Sequence, residues 1–163
     1  MTVEDLEFEA WYRAAHPRLG AALTVAFGDV DLAQDAADEA VTLAFQNWGR
    51  IQKMESPTGW LYRTGFNVAR RRRPRAALER KLLRRSAPEP STPPRETELW
   101  FVVADLPDRQ REAVVLRHVG QLREREVAEV MGLTRGGVSS TLRAAYASLR
   151  VDISESEPFQ EVP

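Results

Sequence analysis

Apolar residues recur at intervals of three and four along almost the whole chain, the spacing that places side chains on one face of an α-helix. The sequence has no convincing run of alternating apolar and polar residues, and it has no Asn-Gly or Asp-Gly hairpin turn. Strands are therefore disfavoured throughout. The sequence predicts an all-α protein.

The composition limits the kind of protein this can be. With 163 residues, of which 43% are hydrophobic and 29% charged, the chain can form one ordinary domain or two small ones. No apolar run is long enough to cross a bilayer, and the first residues lack a signal-peptide pattern. Cysteine is absent, which excludes disulfides and fits a cytoplasmic location. The net charge of −1 argues against a general polyanion binder, so the local distribution of charge matters more.

Residues 122–150 have the pattern of a helix-turn-helix. Gly132 follows a short amphipathic helix where positive φ is favoured, and Thr134 can cap the next helix through its hydroxyl. The inward positions of that second helix are Val138, Leu142, Ala145 and Leu149. Its outer face carries Arg135, Gly136, Ser140 and Arg143. A helix that enters a DNA major groove needs small residues and hydrogen-bond donors, so this pattern favours DNA binding over a plain helical hairpin.

Two long helices are predicted in the first third of the chain. An apolar stripe over residues 8–26 indicates the first, which Pro17 is expected to kink or divide. The second is predicted over residues 31–48, with alanines on its inner face. Its outer face carries Asp31, Asp35, Asp38, Thr42 and Gln46. This spacing alone favours an ordinary solvated face over a docking surface for a basic partner helix.

A third helix is predicted to begin at Ser56-Pro57, with Ser56 as N-cap and Pro57 in the first turn. The side chains expected to face inward are Trp60, Leu61, Thr64 and Val68. Along and after this helix runs a polar, mostly basic tract of Arg63, Asn67, Arg70, Arg71, Arg72, Arg73, Arg75, Arg80, Lys81, Arg84 and Arg85. Such a tract neutralises phosphates, and an amide with aromatic groups beside it can hold an unstacked base. Nucleic-acid binding is favoured over a solvated helix end.

The proline-rich polar segment over residues 86–97 predicts a flexible linker between two domains. We therefore expect a first helical domain over 1–85, a second over 98–151, and an acidic tail over 152–163 without fixed structure. Catalysis is disfavoured. The two histidines, His16 and His118, fall in different domains, and there is no phosphate-cradling glycine loop or paired-His ligand spacing. No cofactor, metal or catalytic residue is expected.

Three segments in their order and separation resemble the extracytoplasmic-function sigma factors of bacterial RNA polymerase. They are DAADEAVTLAFQNW (35–48), SPTGWLYRTGFNVARRR (56–72) and LPDRQREAVVLRHVGQLREREVAEVMGLTRGGVSSTLRAAYASLR (106–150). The resemblance covers about residues 8–150, and the Arg- and Ala-rich composition suggests the actinobacterial type. It implies a sigma region 2-like domain and a sigma region 4-like domain. It also implies that the protein directs core polymerase to promoters and assists melting.

The resemblance implies roles for residues at matching positions. The second long helix would bind a coiled coil on the largest polymerase subunit through Asp35, Asp38, Thr42 and Gln46. The third helix would hold the melted strand of the downstream (−10) promoter element through Trp60, Arg63, Asn67, Arg70 and Arg71. The final helix would read the upstream (−35) element through Arg135, Ser139, Ser140 and Arg143.

The chain departs from the family pattern at several positions. Val41 and Thr42 stand where acidic and amide residues are expected, and Ser139 and Thr141 stand where basic residues are usual. Fewer basic contacts predict weaker binding of the upstream element. An alternative is a sigma-like DNA-binding regulator that does not recruit polymerase. The residues leave open whether an anti-sigma partner, or the acidic tail, covers these surfaces.

Overall fold

The computed structural model describes residues 1–83 and 98–156, and for residues 80, 98–99 and 151–156 it describes the backbone alone. The described residues form eight helices and no strand, which confirms the all-α prediction. The helices are α1 Val3–Phe27, α2 Val30–Gln46, α3 Trp48–Ile51, α4 Pro57–Leu83, α5 Glu98–Ala104, α6 Asp108–His118, α7 Glu124–Met131 and α8 Arg135–Ser156. The predicted linker over 86–97, the predicted tail from residue 157 onward, and Arg84 and Arg85 lie outside the described residues.

Helices α1 to α4 form an amino-terminal unit. Helix α1 ends at Gly28, which adopts φ +66° and donates its N–H to the carbonyl of Thr24 at 2.8 Å. The expected interruption at Pro17 is absent, because α1 continues unbroken through it. Pro17 and Arg13, whose carbonyl loses its helical partner, both lie on the exposed side of α1. Water can therefore hydrate that carbonyl, and the helix continues.

Small side chains bring α2 close to its neighbours. The inner face of α2 is a row of buried alanines, Ala33, Ala36, Ala37, Ala40 and Ala44. The helix is capped by Asp29, whose Oδ1 accepts from the N–H of Leu32 at 3.0 Å. It ends at Gln46, earlier than predicted, and Trp48 begins the short α3 while remaining buried.

Tyr12, predicted within the apolar stripe of α1, is instead 36% exposed.

Helices α5 to α8 form a carboxy-terminal unit that contains the helix-turn-helix. Helix α7 ends at Gly132, which adopts φ +64°, and Thr134 Oγ1 accepts from the N–H of Gly137 at 3.0 Å. The predicted inward residues of α8, Val138, Leu142, Ala145 and Leu149, are all buried. The helix continues to Ser156, so its backbone extends through part of the segment expected to be an unstructured tail.

The two units pack against each other. Their buried residues form one continuous hydrophobic core. Arg111 of α6 donates through Nε to the carbonyl of Ala26 in α1 at 2.9 Å. Gly120 lies against the ring of Tyr62, where an added Cβ would be 2.8 Å from Cε1. The sequence predicts two tethered domains but does not predict this packing.

Candidate partner and nucleic-acid interfaces

The outer face of α8 is exposed. Arg135, Ser140 and Arg143 are exposed on the side of α8 opposite its buried residues. A Cβ added at Gly136 would meet only Thr134 Oγ1, at 4.0 Å, so the backbone there can approach a ligand closely. Three of the four predicted residues of the recognition helix thus share a free surface.

Ser139 and Thr141 form hydrogen bonds within the helix-turn-helix. Ser139, predicted to contact DNA, is half-buried and donates its hydroxyl to Glu124 Oε2 at 3.0 Å, which ties α8 to α7. Thr141 donates its hydroxyl to the carbonyl of Gly137 at 2.7 Å. The two positions where the family usually carries basic residues therefore hold internal hydrogen bonds in this chain.

The outer face of α2 is a polar row in which Asp35, Asp38, Thr42 and Gln46 are all exposed. Asp38 is oriented by its neighbours, because Oδ1 lies 2.7 Å from His16 Nε2 and 3.0 Å from Gln34 Nε2. Phe45 adds an apolar group beside this row and is 56% exposed. Val41, one of the departures from the family pattern, is buried in the core and cannot touch a partner on this face.

The basic tract on α4 is partly neutralised by α2. Arg71 Nη2 lies 2.6 Å from Glu39 Oε1, and Arg72 pairs with both Glu39 and Asp35. Burial raises the pKa of Glu39, but hydrogen bonds from Arg72 and Arg71 outweigh it and leave that pKa lowered. Glu39 is therefore held as a carboxylate between the two helices. Arg71 points to α2 rather than along the face that carries the other predicted strand-binding residues.

Trp60, Arg63, Asn67 and Arg70 follow one side of α4, and this side is turned toward the carboxy-terminal unit. Arg63 and Asn67 are exposed and Trp60 is half-buried. Arg70 is held in three directions. It donates to Asn67 Oδ1 at 3.3 Å, to the carbonyl of Val130 at 3.2 Å and to Glu112 Oε2 at 3.1 Å.

Glu112 is the residue that the sequence analysis missed. It is buried on α6, and Arg109 Nη1 also donates to its Oε2 at 3.1 Å. The sequence contained a signal that Glu112 would be buried. Glu112 adjoins Ala113 and precedes Leu116 by four residues, so it lies on the inner face of an amphipathic helix. An acidic side chain at a core position requires a cationic partner, and here one of its partners comes from the other unit.

The described residues give no support to a metal centre or a membrane span. Within residues 1–83 and 98–156, no group of three or more His, Asp or Glu side chains is placed to hold a metal ion. None of the helices in this described part of the chain is both long and apolar enough to cross a membrane. In the amino-terminal unit, His16 bonds to Asp38. In the carboxy-terminal unit, His118 lies 2.7 Å from the hydroxyl of Tyr146. Burial lowers the pKa of His118.

The geometry defines a two-unit helical protein with a helix-turn-helix, and comparison with known proteins shows what the chain is similar to. Residues 97–149 match the model of the family described as Sigma-70, region 4. The RNA polymerase sigma-E factor of Streptomyces coelicolor is 29% identical over 155 residues, covering 92% of this chain and 88% of that protein. The sigma-E factor of Streptomyces avermitilis is 28% identical over 159 residues, covering 94% and 89%.

Solved structures show the same fold. The sigma factor RpoE of Bartonella quintana, in complex with the anti-sigma factor NepR, aligns with a TM-score of 0.68 at 16% identity over 93% of this chain and 99% of that one. CnrH, in complex with the cytosolic domain of CnrY, aligns with a TM-score of 0.60 at 21% identity over 92% and 89%. Residues 97–149 thus match Sigma-70 region 4, and the chain is similar over nearly its whole length to RNA polymerase sigma-E factors; these similarities support a sigma factor that directs RNA polymerase to promoters.

Proposed function

We propose that three separate surfaces of the chain carry out this function. The outer face of α2 docks on the coiled coil of the largest subunit of core polymerase. The side of α4 that carries Trp60 and Arg70 holds the melted strand of the downstream element, and the outer face of α8 reads the upstream element. The observation that most supports the docking role is the exposed row from Asp35 to Gln46 in a chain similar to sigma-E factors over 92% of its length.

The docking surface has the chemistry for a basic partner helix. Asp35 and Asp38 supply negative charge at the spacing of one helical turn, and Thr42 and Gln46 continue the row with hydrogen-bonding groups. His16 and Gln34 fix the Asp38 carboxylate, so less side-chain entropy is lost when a cation binds. The exposed Phe45 offers apolar area within the same footprint.

The two DNA surfaces differ in what they can bind. Arg135 and Arg143 on α8 suit phosphates of a duplex, and Ser140 between them can reach a base edge. On α4, Trp60 offers a stacking surface while Arg63 and Arg70 supply positive charge, the combination that binds single strands. In this proposal the protein supplies specificity in the cytoplasm and performs no catalysis, and the polymerase supplies the chemistry.

The docking role is tested by measuring the affinity of core polymerase for the Asp38→Lys variant. We expect a loss of at least about tenfold, because attraction becomes repulsion at the centre of the footprint. Glu7→Lys makes the same charge change at an exposed position of α1 and should keep affinity within about twofold. Equal affinities of the two variants would rule out α2 as the docking surface.

The DNA roles are tested by run-off transcription on genomic fragments. Arg143→Ala should weaken the closed complex at promoters that use the upstream element, whereas Arg70→Ala/Arg71→Ala should impair strand opening. A wild-type chain that binds DNA but neither binds core polymerase nor directs any start site would favour the alternative, a DNA-binding regulator that does not recruit polymerase.

An anti-sigma partner is part of the proposal. The matched structure of RpoE contains the anti-sigma factor NepR. We extend this relationship to the present chain, with a partner that covers the α2 row and so competes with core polymerase. A protein that is co-purified with the chain and displaced by excess core polymerase would support this. Simultaneous binding of both would contradict it.

A further inference from the structure

A small cavity lies between α1 and the first turns of α4, and two polar groups at its wall have no partner. Its volume is about 90 Å³, and its walls include Trp11, Ala14, Arg18, Thr58, Tyr62 and Gly120. Among the described residues, Trp11 Nε1 and the Tyr62 hydroxyl are buried and form no hydrogen bond. Buried polar groups in folded proteins are nearly always paired, so two unpaired groups at one cavity indicate that a further molecule binds there.

The Tyr62 hydroxyl meets this cavity and remains protonated. The residue is 1% exposed, and a Cβ added at Gly120 in the opposite wall would lie 3.2 Å from Tyr62 Cζ. Because Cζ carries the hydroxyl, the polar end of the ring is the part that reaches the cavity. Burial raises the pKa of Tyr62 to about 12, so the hydroxyl is available as a hydrogen-bond donor at neutral pH.

The cavity wall is richer in donors than in acceptors. The indole of Trp11 and the guanidinium of Arg18 can donate hydrogen bonds but cannot accept them. Among the described residues Arg18 donates one hydrogen bond, to Gln121 Oε1 at the long distance of 3.5 Å, so it has donors to spare. The ligand must therefore supply acceptor oxygens. The positive charge of Arg18 favours an anion over water, which must also donate.

The start of α4 adds to the positive potential at the cavity. Thr58 is the second residue of this 27-residue helix. The first N–H groups of a helix have no acceptor within it, and the helix dipole is positive at this end. Among the described residues, none of those that line the cavity is acidic. An anion there is thus attracted from α1 and α4 and is not repelled by the wall.

A polar groove of about 310 Å³ adjoins the cavity and shares Arg18, Thr58 and Gly120 with it. Arg123 and Arg125 also line the groove. Its two carboxylates already have donors, because Glu55 accepts from Arg125 and Glu126 accepts from the N–H of Arg123, both at 2.7 Å. The groove therefore has room and charge for the remainder of a ligand whose anionic end lies in the cavity.

We propose that the cavity binds a phosphate group, to whose oxygens Trp11, Arg18 and Tyr62 donate. The group is either free inorganic phosphate or the phosphate of a small monoester, whose organic part then lies in the groove. A compact tetrahedral anion offers acceptors in several directions, which matches donors that converge from two helices. This site does not depend on the proposed roles of α2, α4 and α8 in transcription.

The test follows the indole N–H signals of the ¹⁵N-labelled full chain by nuclear magnetic resonance. The chain has four tryptophans, and Trp11→Phe identifies the signal of Trp11. We expect inorganic phosphate to shift this signal saturably with a Kd of about 1 mM or below, whereas sodium chloride at the same ionic strength does not shift it. A Trp11 signal that neither phosphate nor ribose 5-phosphate moves at about 10 mM would overturn the proposal, because water alone then fills the cavity.

Two variants test the donors and the space separately. Tyr62→Phe removes one donor and keeps the buried ring, so it should weaken phosphate binding by at least about tenfold, whereas Tyr12→Phe at an exposed tyrosine should change it by less than about twofold. Ala14→Leu keeps every donor but adds three carbon atoms at the cavity. It should also weaken binding by at least about tenfold, while Ala10→Leu, at another exposed position of α1, should not. Equal affinities of Ala14→Leu and Ala10→Leu would overturn the site.

Comparison of two ligands identifies the source of the phosphate group. If the groove holds an organic part, ribose 5-phosphate should bind at least about tenfold more tightly than inorganic phosphate. Arg123→Gln should then weaken binding of the ester alone, and Arg13→Gln, the same change at an exposed position of α1, should weaken neither. Equal affinities for the two ligands would support the cavity as a site for free phosphate. These measurements use the chain without polymerase or DNA, so their outcome is independent of the proposed function.

Discussion

The Arg70 guanidinium lies 3.1 Å from the buried Glu112 carboxylate and joins the basic helix α4 to the unit that carries the helix-turn-helix. Arg109 contacts the same oxygen from within the carboxy-terminal unit. One carboxylate thus balances two guanidinium groups that belong to different units. Removal of its charge leaves both cations without this anionic partner, next to a side chain that is itself buried.

We expect Glu112→Gln to lower the free energy of unfolding by about 2 kcal/mol, since hydrogen bonds to charged groups at buried sites contribute about 1.5–3 kcal/mol. Urea denaturation followed by circular dichroism measures this change. The control is Glu9→Gln, which removes the charge of the exposed Glu9–Arg13 pair and should change stability by less than about 0.5 kcal/mol. Equal stabilities for the two variants would show that Glu112 makes no net contribution across the boundary.

The sequence predicted the main turns, caps and exposed helix faces, which depend on local periodicity and turn chemistry. Gly132 and Thr134 have the turn and cap roles that their residue types predict, and the polar row on α2 and the outer face of α8 are exposed as the spacing requires. These features follow from helical geometry within one segment. The break expected at Pro17 did not occur, because Arg13, whose carbonyl loses its helical partner, lies on the exposed side of α1.

The packing between the units could not be derived from periodicity. Tyr62 and Phe66 are fully buried although Trp60, Leu61, Thr64 and Val68 were expected to define the inner face of α4. Helix α4 is covered on more than one side, and periodicity reports only that a face is apolar, not which element covers it. One partner of Glu112, Arg109, lies three residues away on the same helix, but the other, Arg70, is brought near only by the long-range packing of the two units.

Tyr62 makes stability sensitive to alkaline pH. Burial raises the pKa of Tyr62 to about 12, and its hydroxyl has no hydrogen-bond partner among the described residues. Between about pH 10 and 12 the unfolded chain loses this proton while the folded chain keeps it, so stability is present below that range and falls as pH rises. We expect wild type to lose about 1.4 kcal/mol more than Tyr62→Phe between pH 8 and pH 11.

Chemical denaturation at the two pH values measures this difference. Tyr12→Phe, at an exposed tyrosine in the same unit, is the control and should lose stability in parallel with wild type. If Tyr62→Phe also loses stability in parallel with wild type, the hydroxyl of Tyr62 is hydrated in the folded chain.

Glu39 makes stability sensitive to acid. Burial raises its pKa, hydrogen bonds from Arg72 and Arg71 lower it more, and the net result is a lowered pKa. The contribution of Glu39 to stability is therefore complete above its unfolded value, near 4.5, and is lost as pH falls through the lower folded value. We expect Glu39→Gln to be less stable than wild type at pH 6, by up to about 1 kcal/mol, and the two to converge toward pH 3. A stability difference that stays constant over this pH range would be inconsistent with the ion pairs across α2 and α4.

Ser139 and Ser140 are neighbours with opposite expected roles. Ser139 donates to Glu124 at 3.0 Å and joins the two helices of the helix-turn-helix, whereas the exposed Ser140 lies on the outer face of α8. Ser139→Ala should lower the free energy of unfolding by about 0.5–1.5 kcal/mol, the usual net value of a hydrogen bond, while Ser140→Ala should change it by less than about 0.5 kcal/mol. The order should reverse for the affinity for upstream promoter DNA. Ser140→Ala should weaken that binding more than Ser139→Ala, because only Ser140 can reach a base edge. Each serine is thus the other's control. Thermal denaturation and titration of duplex DNA on both variants decide between this assignment and the family-based expectation that both serines contact DNA.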